Sequence, residues 1–227
     1  MNSHRCRRAL AKIALSAAVT LTPCLAASFP TAALANSAGS TATRDQGAEQ
    51  FIQAQGQRLV SMLADKSQSP DERISVFRIA VNEIADVPGI TKFVLGKYAR
   101  TITPAQMDRF ATVFQDYTVK VYQQRLADFH GDSLTVTDSL TLRSGDVVVK
   151  TTITGGNTGQ PTEVSWRVEG SGSNWKVADV ETAGIWMVIM QQDEFVRTLD
   201  DNGGNIDALT SQLENLAQAQ PAAAAGQ

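Results

Sequence analysis

The sequence predicts an α+β fold: an N-terminal helical layer with one long helix, packed on a four-stranded antiparallel sheet and closed by C-terminal helices. Three observations predict it. Apolar residues recur at three- and four-residue spacing up to Leu126 and at two-residue spacing from Leu134 onward, so helices precede strands. One apolar face, Met107, Phe110, Phe114, Tyr117, Val121 and Leu126, persists long enough to cross a domain. Turn-forming clusters then divide the second half into four alternating runs at hairpin spacing.

In chain order, residues 36–45 are small and polar and read as a flexible linker. A helix begins near Gln46, with Phe51, Ile52, Gln55, Leu59, Met62 and Leu63 on its stripe, and stops by Ser69-Pro70. Pro70, followed by Asp71 and Glu72, starts a second helix that buries Ile74, Phe77, Val81 and Ile84. Val87-Pro88-Gly89 is expected to break it before a short helical piece from Ile90 to Arg100. Thr103-Pro104-Ala105-Gln106 is a capping box with proline at the first helical position, and it opens the long helix.

After Gly131, Leu134, Val136, Leu140 and Leu142 alternate with polar residues and define the first strand. Ser144-Gly145-Asp146 turns the chain, and Val147, Val149, Thr151 and Ile153 form the second strand. The cluster Gly155 to Gly159 is a loop, Val164, Trp166 and Val168 form the third strand, and Trp175 and Val177 begin the fourth. The continuous apolar run of residues 185–190 exceeds one helical turn, which predicts a segment covered on every side. Asn205 caps a last helix with Leu209, Leu213 and Leu216 on its buried side, and residues 218–227 form an alanine-rich tail expected to be disordered.

Residues 1–35 carry the marks of a signal peptide: Arg5, Arg7, Arg8 and Lys12, then a mostly apolar stretch from Ile13 to Leu25, then Ala33-Leu34-Ala35. Cleavage there removes both cysteines, four of the 20 basic residues and none of the 23 acidic ones, leaving 192 residues with a net charge near −7. The expected mature chain has no disulfide, no thiol nucleophile and no cysteine-based metal site. Its acidity argues against nucleic acid and against adhesion to anionic lipid surfaces. Residues 46–217 are read as a single domain, expected to be monomeric.

Little in the sequence offers catalysis. His130 sits in Phe129-His130-Gly131-Asp132, where a histidine at a helix C-terminus followed by a glycine terminator is the simpler account. The glycines of residues 155–159 precede a strand and lack the lysine of a phosphate loop. An enzyme transferring protons on apolar substrates would need a carboxylic acid and a tyrosine meeting in one pocket, and Asp179 is the candidate acid. Lys92, Lys97 and Arg100 form the densest basic cluster, read as solvated surface.

Val94-Leu95-Gly96-Lys97-Tyr98-Ala99-Arg100, followed by Thr103 to Gln106 and Phe110 to Tyr122, is similar to the Gly-Arg-Tyr-Trp-Arg segment and the helix after it in the MlaC family of periplasmic phospholipid carriers. Trp166-Arg167-Val168, Trp175 to Val180, Gly184 and Gly203 to Leu209 match its second half in order, and the likeness spans roughly Gln46 to Leu216. This chain departs from the pattern at Ala99, Ala178, Trp186, Gln191 and Gln192.

The resemblance implies an NTF2-like cone with acyl chains between helices and sheet, no enzymatic activity, no metal and no cofactor, bound phospholipid being cargo. It implies partners at both membranes: an inner-membrane ABC transporter with a lipid-binding ring subunit, and an outer-membrane lipoprotein complex. A related branch associated with hopanoid pathways leaves a hopanoid-like guest as the alternative. The residues expected to contact lipid are Leu95, Tyr98, Phe110, Phe114 and Tyr117 from the helices and Trp166 and Val168 from the sheet, joined by Ile185, Trp186, Ile189 and Met190.

Overall fold

The structure is a computed structural model that describes residues 43–127, 131–155 and 160–218. The expected signal peptide, most of the linker, His130, most of the loop at 155–159 and the tail beyond Gln218 lie outside the described residues. The described chain runs α1 (Gln46–Ala64), α2 (Pro70–Ile84), α3 (Val87–Val94), a 3-10 turn (Gly96–Arg100) and α4 (Pro104–Ala127). Then follow β1 (Ser133–Arg143), β2 (Asp146–Thr154), β3 (Thr162–Glu169), β4 (Lys176–Thr182), β5 (Ile185–Trp186), α5 (Met187–Asp201) and α6 (Ile206–Gln218). The strands form one antiparallel sheet in sequence order. The α+β class and the four long strands are as the sequence predicts, and β5 adds a two-residue fifth.

The helix starts are set by local chemistry. Ser69 and Glu72 cap α2 reciprocally, and Thr103 and Gln106 do the same for α4. The expected break at Val87-Pro88-Gly89 is instead the first turn of α3. Asp86 accepts a hydrogen bond from the Gly89 amide, and Pro88 lies in the first turn, where its missing N–H costs nothing. The Asp86 amide also donates to the Val177 carbonyl, so the α2–α3 junction is pinned to β4.

Two apolar cores result. One lies between α1 and the sheet and includes Ile52, Leu134, Val149, Trp166, Val168 and Trp175. The other joins α3, α4, α5 and α6 around Leu95, Phe110, Phe195, Leu199 and Leu209. On β1 the expected alternation fails half-way. Thr137 is an extra residue between the pairs Val136–Thr151 and Asp138–Lys150, and this bulge exchanges the two faces of the strand. Leu140 and Leu142 therefore point to solvent, while Ser139 turns inward and donates to Glu49 on α1.

The free edge of β1 is covered rather than left as a template for another strand. Gln53 and Gln57 of α1 bond its backbone through both ends of their amides, reaching the N–H of Val136 and Leu134 and the carbonyls of Leu134 and Asp132. Residues 43–45, read from sequence as part of the linker, belong to the same seam: Thr43 accepts from Thr141, and Asp45 caps α1.

The β4–β5 hairpin turns on Ala183 and Gly184, at φ 52° and 79°. A two-residue turn with both centres at positive φ is the type favoured by the twist of the strands, but alanine resists that region because of its Cβ. Ala183 is exposed, and asparagine tolerates the conformation. Ala183→Asn is expected to stabilise the fold by about 1 kcal/mol; urea unfolding checks it, and an unchanged midpoint would count against the strain.

Candidate functional site

Between the two cores lies a cavity of about 320 Å³. Its walls come from α2 (Phe77, Val81, Ile84), α4 (Phe114, Val119), the sheet (Trp166, Val177, Val180) and the start of α5 (Met187, Val188). Ala85, Val87 and Ile90, held against β4 by the pinned α2–α3 junction, complete the lining on that side. The space exists because α2 is supported by few neighbours. It meets α1 and α4 along its sides, and its stripe of Phe77, Val81 and Ile84 faces the sheet without an intervening layer.

The polar groups in this wall are mostly accounted for. The Trp166 indole N–H donates to the Thr151 hydroxyl at 2.9 Å, which in turn donates to the Val164 carbonyl, so Trp166 presents only its apolar ring. Asp179, 4% exposed, is the one acid among the described residues of the lining. One of its oxygens accepts from the backbone N–H groups of Val180 (2.7 Å) and Val188 (2.8 Å), and the other accepts from Ile189 (3.3 Å). Val188 and Ile189 are in the first turn of α5, whose own cap residue, Trp186, offers no side-chain acceptor. Asp179 is thus the cap of α5, supplied from β4. Burial pushes its carboxyl above the usual range, and the three N–H groups pull the other way.

Of the eleven residues expected from sequence to contact lipid, Phe114 and Trp166 line the cavity. Leu95 and Phe110 are fully buried in the helical core, and Tyr117 packs there against Phe195. Phe110 stacks on Phe114 at 5.7 Å, so it backs the cavity wall from one layer behind. Tyr98 instead holds the α5–α6 turn: its hydroxyl donates to Asp200, and its ring leaves no room for a Cβ at Gly204, 2.8 Å away. Val168 is buried in the core between α1 and the sheet.

The run 185–190 is not covered on every side. Ile185, Ile189 and Met190 are 47, 39 and 45% exposed, and with Trp186 they line a shallow surface concavity edged by Asp193, Glu194 and Arg197. Only Met187 and Val188 of the run face the cavity. The physical reason is position: β5 is the sheet's edge, and α5 turns Phe195 and Leu199 into the helical core, which leaves its opposite side wet. Phe77, Val81 and Val188 also line the cavity, and in the sequence they carry no signal that separates them from an ordinary buried stripe.

Residues 50–215 match the family model described as MlaC protein. This chain belongs to the MlaC family. Among curated relatives of this MlaC-family protein is the toluene tolerance protein Ttg2D of Pseudomonas putida, 28% identical over 153 residues, covering 66% of this chain and 71% of the relative. Among solved structures, the fold is shared with the phospholipid-binding protein of Ralstonia solanacearum, solved in complex with a phospholipid. That likeness has a TM-score of 0.62 at 22% identity and covers 75% of this chain and 96% of the other. Among the described residues no group of histidine, cysteine or acidic side chains is arranged to hold a metal ion, and no helix is long and apolar enough to cross a membrane.

Proposed function

We propose that this MlaC-family protein is a carrier without enzymatic activity, binding phospholipid by its acyl chains in the cavity between α2, α4, β3–β4 and α5. The observation that carries the reading is the cavity itself, an apolar space of about 320 Å³ held open between two packed cores. That volume is at the lower end of the range of about 300–1,000 Å³ for small-molecule sites. The phospholipid complex of the Ralstonia solanacearum protein supports the same ligand class.

Energetics give the carrier its mode of working. Each methylene moved out of water contributes about 0.8 kcal/mol, so one sixteen-carbon chain holds on with on the order of 10 kcal/mol. Escape into water is correspondingly slow, and exchange takes place while the carrier is docked to a partner offering another apolar site. The partners proposed are an inner-membrane ABC transporter with a lipid-binding ring subunit and an outer-membrane lipoprotein complex. The protein is proposed to travel between them as a monomer in the periplasm after removal of residues 1–35.

The competing enzyme reading needs a free acid beside a tyrosine. Asp179 commits both oxygens to backbone amides, and Tyr117 belongs to the helical core. Protein purified from its native compartment and extracted for lipid mass spectrometry is expected to yield phospholipid in near-stoichiometric amount. A hopanoid would move the cargo to the alternative lipid, and an empty extract would sink the carrier reading.

A further inference from the structure

Among the described residues lining the cavity, Arg78 is the one cation and Asp179 the one acid, and they differ in depth. Asp179 is buried, whereas the Arg78 side chain is 42% exposed. Arg78 is held across the rim, its Nη1 donating to Asp116 of α4 at 2.7 Å. One turn further along α2, Asn82 accepts from Gln115 of α4 at 2.6 Å. The Asp116 side chain is 49% exposed, so this ion pair contributes little to stability and opens at little cost.

We propose that Arg78 is the site that takes the phosphate of a bound phospholipid, exchanging Asp116 for the phosphodiester; this rests on the carrier reading above. A guanidinium presents a planar fork that two non-bridging phosphate oxygens match, and charge-assisted bonds of that kind are stronger than neutral ones. The apolar wall alongside excludes water from one side of the pair and strengthens it. At the buried end, Asp179 has both oxygens taken by backbone N–H groups and offers an anion no donor. The single cation of the described lining therefore orients the ligand, chains inward and phosphate at the α2–α4 rim. Asp116 occupies the guanidinium while the carrier is empty and is displaced on loading.

The test compares lipids with the same chains and different heads. Delipidated protein is titrated with phosphatidylglycerol and with diacylglycerol. Wild type is expected to prefer the phospholipid by about tenfold. Arg78→Gln is expected to abolish that preference by weakening phospholipid alone, and Asp116→Asn, which removes the competing carboxylate, to strengthen phospholipid binding.

An Arg78→Gln protein with the wild-type preference, or one that loses both lipids equally, overturns the assignment. Wild type binding neither lipid overturns the carrier reading with it. Inorganic phosphate is expected to leave lipid binding unchanged; displacement of lipid by phosphate alone would make this a free-phosphate site and overturn the role assigned here.

Discussion

Val81→Glu is expected to yield a folded protein that has lost its lipid. Val81 lies on the cavity face of α2 and is only partly buried, because the surface it presents belongs to the cavity. A glutamate there is hydrated while the cavity is empty, so stability should change by no more than about 1 kcal/mol. On the proposed carrier reading, acyl chains that fill the space strip the carboxylate of water and give it no partner, a cost of several kcal/mol that comes straight out of lipid affinity. Copurifying lipid should fall by tenfold or more. Trp186→Glu is the contrast: Trp186 is on the outer side of the α5 start, so its lipid content should match wild type. Mass spectrometry of both variants, with circular dichroism to confirm folding, decides the matter. Retained lipid in Val81→Glu, or its loss in Trp186→Glu alone, would place the ligand at the outer concavity instead.

That contrast also marks where the sequence stops being informative. The capping box at Thr103, the proline start at Pro70 and the period-two strands are signals a few residues long, and all three are realised in the structure. The bulge at Thr137 leaves no such signal, because its two-against-one pairing is fixed by the partner strand, so simple alternation puts Leu140 and Leu142 on the apolar face while the structure turns them to solvent. Pro88-Gly89 reads equally well as an ending or a beginning, and the Asp86 cap decides it.

The site was hidden for a related reason. A helical stripe such as Phe77, Val81 and Ile84 shows that a face is covered, not whether protein or a guest covers it. The aromatic face of α4 divides accordingly, with Phe114 on the cavity and Phe110 one layer behind. The run 185–190 shows the converse. Apolar character all round predicts cover all round, yet the edge of a sheet supplies cover on one side only.

Asp179 carries the second large expected effect. Asp179→Ala should destabilise the protein by about 3 kcal/mol, because the amides of Val180, Val188 and Ile189 lose their shared acceptor in a buried setting and α5 loses its cap. Asp179→Asn keeps one carbonyl oxygen for the two shorter bonds and carries no charge to desolvate, so its cost should be nearer 1 kcal/mol. The order wild type, Asn, Ala in urea midpoint separates a cap from a catalytic acid, for which both substitutions would leave stability alone. The pH dependence follows from burial raising the folded pKa above the unfolded value of about 3.9. Folding then favours the protonated form, so this contribution is fully present below the unfolded pKa and is lost as pH rises through the folded one. The stability of wild type relative to Asp179→Asn should therefore decline as pH rises through that window; a difference that grew instead would mean that the three amides, and not burial, dominate the carboxylate.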